Sequence, residues 1–231
     1  MLIMASQASN HPLKHVSPHI LSLLSRLHNN SAAQEAHMTW DDFEPESVDQ
    51  KMRDKFVAIE QDKAFFLYQM GLATGAKTIV EAGTSYGVST IYLALAVASN
   101  VEVTGGPGRV IATEHEPEKA KKAREHWNAC GSSVSEIIEL REGDIRETLK
   151  HDLGTVDMLL LDIWGPMLLP ALKLVQPALR PGAVIITDNT ISAAEHCKEL
   201  LDYMRAPGSD FRNLTLPFNN GLEMSVYQPQ G

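Results

Sequence analysis

From residue 61 onward, apolar positions alternate between two spacings along the chain. Stretches with period near 3.6 read as helices, and short β-branched or leucine-rich runs read as strands. The order is a helix over 61–72, a strand over 78–80 ending at Glu81, a helix over 88–98, a strand over 109–113 and a helix over 116–130. Pro117 stands in the first turn of that last helix and Gly131 just past its end, the expected punctuation of a helix. Then come a strand over 137–140, a short helix over 145–150, the strongest strand at 156–161 and a helix over 167–179. Arg180-Pro181-Gly182 reads as a turn into a strand over 183–187, followed by a helix over 193–205 and two strands over 211–216 and 222–227.

Strands separated by helices of this length imply right-handed crossovers and a parallel sheet with helices on both faces. The last two strands have no helix between them, so they should form an antiparallel pair at one edge. Residues 1–60 follow a different pattern: an amphipathic helix over 17–27, a loop over 29–46 and an acidic patch, Asp41-Asp42-Phe43-Glu44. They read as an extension, or lid, on one α/β domain over 61–231.

Composition narrows the function. The chain has 20 Lys and Arg against 29 Asp and Glu, a net charge of −9, and its longest basic run is Lys121-Lys122. That excludes the electrostatic footprint of a nucleic-acid binder. Two cysteines, Cys130 and Cys197, are too few for a disulfide framework and point to a reducing, cytoplasmic setting. The first ten residues do not form a secretory signal, and the longest apolar run, 91–98, is too short to span a bilayer. No membrane partner is expected.

In a doubly wound sheet, ligands bind beyond the carboxyl ends of the strands, which directs attention to Glu81, Glu114, Asp144, Asp162 and Asp188. Glu81-Ala82-Gly83-Thr84-Ser85-Tyr86-Gly87 follows the first strand and opens a helix. Its glycines allow a tight turn and close approach of a ligand, but the spacing is not that of a dinucleotide fold. Glu114 at the second strand tip can accept two hydrogen bonds from a ribose diol, or can simply be a solvated strand end. Asp162 with Asp188-Asn189 puts three hard oxygen donors on neighbouring strand tips, a donor set that suits Mg²⁺. Taken singly, Asp162 could cap a helix, and Asp188-Asn189 could form an Asx turn. His196 and Cys197 read as a surface and a core residue on the 193–205 helix. His37 and Trp40 read as a packed or mobile segment with a lid as the lesser reading, and Met4, Met38, Met52 and Met70 read as core filling.

Glu81 to Gly87, Glu114 and Gly143-Asp144 together resemble the S-adenosylmethionine site of class I methyltransferases. That resemblance implies a Rossmann-like seven-stranded sheet with an antiparallel last strand. It also implies cofactor contacts from Glu81, Gly83, Thr84, Ser85, Gly87, Ser89, Glu114, Asp144 and Asp162. The text around Val156 to Trp164, then Asp188-Asn189, then Gly221-Leu222-Glu223, is similar to catechol O-methyltransferase and its cation-dependent relatives. By that likeness Asp162, Asp188 and Asn189 would hold Mg²⁺ or another divalent cation, with Asp162 and Glu223 as the catalytic acids and Glu223 on a substrate hydroxyl. The family's lysine base falls at position 165, which here is Gly165, followed by Pro166.

The expectation is transfer of the sulfonium methyl to an oxygen of a small, catechol-like acceptor, by a monomer or homodimer. Three rivals stand beside it: a metal-independent methyltransferase with a His base such as His37, a nicotinamide-dependent oxidoreductase, and a cofactor-binding protein that has lost catalysis.

Overall fold

A computed structural model describes residues 11–38, 51 and 53–230. Trp40, the 41–44 patch, Met4 and Met52 lie outside the described residues. The elements are α1 (Pro18–Glu35), α2 (Gln61–Ala73), β1 (Thr78–Ala82), α3 (Val88–Thr104), β2 (Arg109–Glu114), α4 (Pro117–Cys130) and α5 (Ser132–Ser135). They continue with β3 (Ile138–Glu142), α6 (Ile145–Thr148), β4 (Val156–Leu161), α7 (Gly165–Val175), β5 (Leu179–Asp188), α8 (Ala194–Arg205), β6 (Phe211–Leu216) and β7 (Leu222–Tyr227).

The seven strands form one sheet in the order β3-β2-β1-β4-β5-β7-β6. The first five are parallel, β7 runs antiparallel to β5, and β6 pairs antiparallel with β7 at the edge. The order reverses between β1 and β4. This is the Rossmann-like methyltransferase sheet, and its crevice opens at the carboxyl ends of β1 and β4. Side chains from α1 to α4 fill one face, with Leu24, Leu67, Ile91, Trp127 and Ile186 in one buried cluster. On the other face α6, α7 and α8 cover Val80, Leu159, Leu161 and Ile185.

Helix α3 runs on to Thr104 and the short α5 was not expected; three further differences bear on the site and its supports. The first helix does not stop at residue 27 but continues to Glu35, through the polar stretch Asn29-Asn30-Ser31. Side chains there serve the returning chain: Ser31 Oγ accepts from the Ala58 amide at 2.8 Å and Gln34 Oε1 from the Phe56 amide at 2.5 Å. This extension packs into the main core, since Ile20, Leu23, Leu24 and Leu27 are all buried in it. Helix α7 ends at Val175, where Pro177 leaves only a short 3₁₀ turn. Arg180-Pro181-Gly182 belongs to β5, at a register shift opposite Val156 and Met158.

Candidate active site

The turn between β1 and α3 is held from within by Glu81. Its carboxylate is fully buried and accepts from Thr84 Oγ1 at 2.6 Å, Ser89 Oγ at 2.6 Å and Thr90 Oγ1 at 2.5 Å. Burial raises its proton affinity, against the opposing pull of the three hydroxyls. Glu81, Thr84 and Ser89 were expected as cofactor contacts. Their side chains instead face one another inside the protein and fix the loop whose backbone faces the crevice.

Two of the loop's glycines have packing reasons of their own. Gly83 has φ +92°, and a Cβ there would lie 2.2 Å from the Asp162 carbonyl oxygen. Gly87 has φ +79°, and a Cβ would lie 2.4 Å from Trp127 Nε1, whose N–H donates to the Gly87 carbonyl. Only glycine fits such backbone angles at such close approach. The contact at Gly83 brings the β1 loop directly against the tip of β4.

Glu114 ends β2 at the same edge of the sheet. Its carboxylate accepts the Ser85 amide at 2.7 Å and the His115 and Glu116 amides at 2.8 Å each. A carboxylate has about four acceptor positions, so one or more remain for an outside hydroxyl, and the group itself cannot swing away. Asp144 caps α6 through the Arg146 amide, and the Arg146 guanidinium holds its carboxyl down at about 2.

At the tips of β4 and β5 stand Asp162, Asp188 and Asn189. Asp162 has no side-chain hydrogen bond among the described residues, and burial, followed by the charge of Asp188, pushes its carboxyl well above the usual carboxylate range. Asp188 is 6% exposed, and burial lifts it to about 6 against the pull of Lys63. Asn189 adopts φ +59°, and its amide donates to Asp188 Oδ1 at 2.8 Å.

Lys63 was read in the sequence only as part of a helix. Its side chain is 0% exposed, and its Nζ donates to Asp188 Oδ1 at 2.5 Å and pairs with Glu60 Oε2 at 2.9 Å. Burial works against the ammonium, but Asp188 and Glu60 outweigh it and hold it charged. Glu60 in turn accepts from Asn220 Nδ2 at 3.1 Å, which ties the turn between β6 and β7 to the start of α2. Removing one partner of such a buried pair costs about 3–5 kcal/mol. The pattern does carry a signal: Lys63, Leu67 and Gly71 recur at the spacing of one buried helical face, and a lysine there needs a partner.

This arrangement does not fit a divalent ion at Asp188. The ammonium already holds Oδ1 from a closed position, and two unit charges 4 Å apart near a protein surface interact by about 4 kcal/mol, more against a double charge.

Glu223 does not reach this rim. It stands opposite Thr187 in the β5–β7 register, whereas Asp188 stands opposite Leu222, and successive residues face opposite sides of a sheet. It is 1% exposed and accepts from Arg205 Nη2 at 2.7 Å and Thr215 Oγ1 at 2.6 Å, so it pins α8 to the sheet and is not available to a substrate hydroxyl. Gly165 begins α7, and a Cβ there would lie 2.5 Å from His196 Cβ and 2.7 Å from the His196 carbonyl oxygen. The lysine that the family resemblance implies at this position has no room. His196 lies half-buried against Trp164, with ring centroids 4.7 Å apart. His37 is exposed in the turn after α1, and Cys130 and Cys197 are buried free thiols.

Residues 80–190 match a methyltransferase domain family. A catechol O-methyltransferase of Niastella koreensis is 26% identical over 76% of this chain and 77% of its own length. An O-methyltransferase structure from Klebsiella pneumoniae superposes with a TM-score of 0.68 at 21% identity, covering 90% of each chain. One from Bacillus cereus, in complex with SAH, gives 0.64 at 19% identity over 87% of this chain and 100% of that one.

Proposed function

We infer that this chain, a class I S-adenosylmethionine-dependent O-methyltransferase, methylates a hydroxyl of a small aromatic acceptor, with catechol-like rings as the acceptor class. The observation that carries the reading is the contact of the two half-sites. A Cβ at Gly83 would lie 2.2 Å from the Asp162 carbonyl oxygen, and the Asp162 amide donates to the Ala82 carbonyl at 2.9 Å, so in this reading the cofactor loop and the strand tip at the acceptor form one rim.

In this reading the backbone of Gly83, Ser85 and Gly87 lines the methionine part of the cofactor, Glu114 takes the ribose, and Asp144 lies by the adenine. The cofactor supplies an electrophilic methyl. An acceptor oxygen lone pair forms the new C–O bond while the electron pair of the S–C bond stays on sulfur. The hydroxyl proton passes to the ionised form of Asp162, whose side chain makes no hydrogen bond among the described residues and whose proton affinity is raised by burial and by Asp188. Most of the rate comes from holding donor and acceptor in line at near-attack distance. Divalent-cation assistance, implied by the family likeness, has no step here because Lys63 holds Asp188. Nor does Glu223, which lies on the other face of the sheet.

The test is a panel of catechols, monophenols, thiols and amines incubated with methyl-labelled S-adenosylmethionine. Label on catechols above monophenols is expected. Label only on thiols or amines would overturn the acceptor class.

A further inference from the structure

We propose that the Lys63 ammonium is the resident cation of this rim, standing at Asp188 where the related sequences place a divalent ion, so that methyl transfer here needs no metal. The proposal rests on the methyl-transfer reading and adds to it the identity of the charge beside the acceptor. Three observations carry it. Lys63 is 0% exposed and enters from α2, outside the strand-tip loops that supply Asp162 and Asp188. It has two partners at once, Asp188 at 2.5 Å and Glu60 at 2.9 Å, and Glu60 is itself fixed by Asn220. The ammonium therefore has no second place to go when an ion arrives. Finally, the lysine of the related sequences beside Asp162 is excluded at Gly165 by the backbone of His196, so Lys63 is the lysine the chain brings to this rim.

Lys63 thus acts as a positioning residue. It fixes Asp188, and through the Asn189 amide on the same oxygen it fixes the left-handed turn that follows β5. It compensates a carboxylate as a metal would, without offering open coordination positions to the acceptor. The Asp162 carboxyl, which makes no side-chain hydrogen bond among the described residues, is left to meet the acceptor hydroxyl.

The experiment is a Mn²⁺ titration of the chelator-stripped full chain, followed by electron paramagnetic resonance of free Mn²⁺. It needs no acceptor. S-adenosylmethionine binding by calorimetry on the same samples reports separately on the methyltransferase reading. The wild type should show no saturable Mn²⁺ site below about 1 mM, and its turnover should be the same in chelator. Lys63→Met should gain one Mn²⁺ site at least about tenfold tighter, and the double variant with Asp188→Ala should lose it. A merely structural lysine would not create a metal site when removed. A wild-type site of micromolar affinity that disappears in Asp188→Ala would overturn the proposal. So would a folded Lys63→Met that gains none. If Lys63→Met fails to fold, Lys63→Gln replaces it in the same titration, with the same gain expected and the same failure to gain a site overturning the proposal.

Discussion

Glu81 buries a carboxylate among three hydroxyls, whereas Lys63 buries an ammonium between two carboxylates. The two make different predictions. Burial raises the proton affinity of Glu81 above its ordinary value of 4.5, so the folded chain holds that proton more tightly than the unfolded one. The stability it contributes is fully present below about 4.5 and is lost as the pH rises through the folded value. Glu81→Gln removes this linkage, so its melting temperature should fall less than that of the wild type between pH 5 and 8. Parallel melting curves would show that Glu81 is not the titrating group. Glu114 makes a prediction about binding. Three backbone amides preorganise its carboxylate, and charge-assisted hydrogen bonds contribute about 1.5–3 kcal/mol each, so Glu114→Ala should weaken S-adenosylmethionine binding by about tenfold or more in calorimetry. Both acids were visible in the sequence as strand-end carboxylates. Sequence could not tell that one is sealed among hydroxyls and the other held by backbone amides, because each differs only by the register of a five- or six-residue strand.

At the scale of elements, α7 and α8 show why one substitution in the text matters. Their amino-terminal turns meet where Gly165 touches the His196 backbone, and Trp164 lies against the His196 ring. Gly165→Lys would restore the lysine of the related sequences but must push α8 away. Overpacking of this kind costs about 1–3 kcal/mol. The variant should melt lower than the wild type and show no gain in rate. A variant of unchanged melting temperature with faster turnover would contradict the packing account. The strands β4, β6 and β7 were legible to the residue, since their apolar runs are bounded by turn residues. The extent of α1 was not, because Ser31 and Gln34 read as loop residues until the 56–58 segment that they bond is in place. Glu223 failed for a related reason: its likeness to a substrate acid lay in the neighbouring letters, and only the pairing of Thr187 with Glu223 shows which face it takes.

Taken whole, the molecule places a reversal of strand order, a loop locked by a buried acid and a rim of carboxylates at one end of one sheet. The parallel sheet with helices on both faces followed from the alternation of helix and strand spacings, and the antiparallel edge from the missing helix between the last two strands, whereas the strand order is read from the structure. The charge at the rim did not follow, because Lys63 and Asp188 are 125 positions apart and no local pattern joins them. Among the described residues no helix is long and apolar enough to cross a membrane, and the net charge of −9 suits a small-molecule acceptor better than a polyanion. The most direct test of the account is the atom that receives the methyl group. With ¹³C-methyl S-adenosylmethionine, a catechol and the chelator-treated full chain, carbon NMR should show the label as an aryl O-methyl resonance that grows as S-adenosylmethionine is consumed. Label on carbon or nitrogen, or an O-methyl signal that forms only after Mg²⁺ is restored, would contradict it.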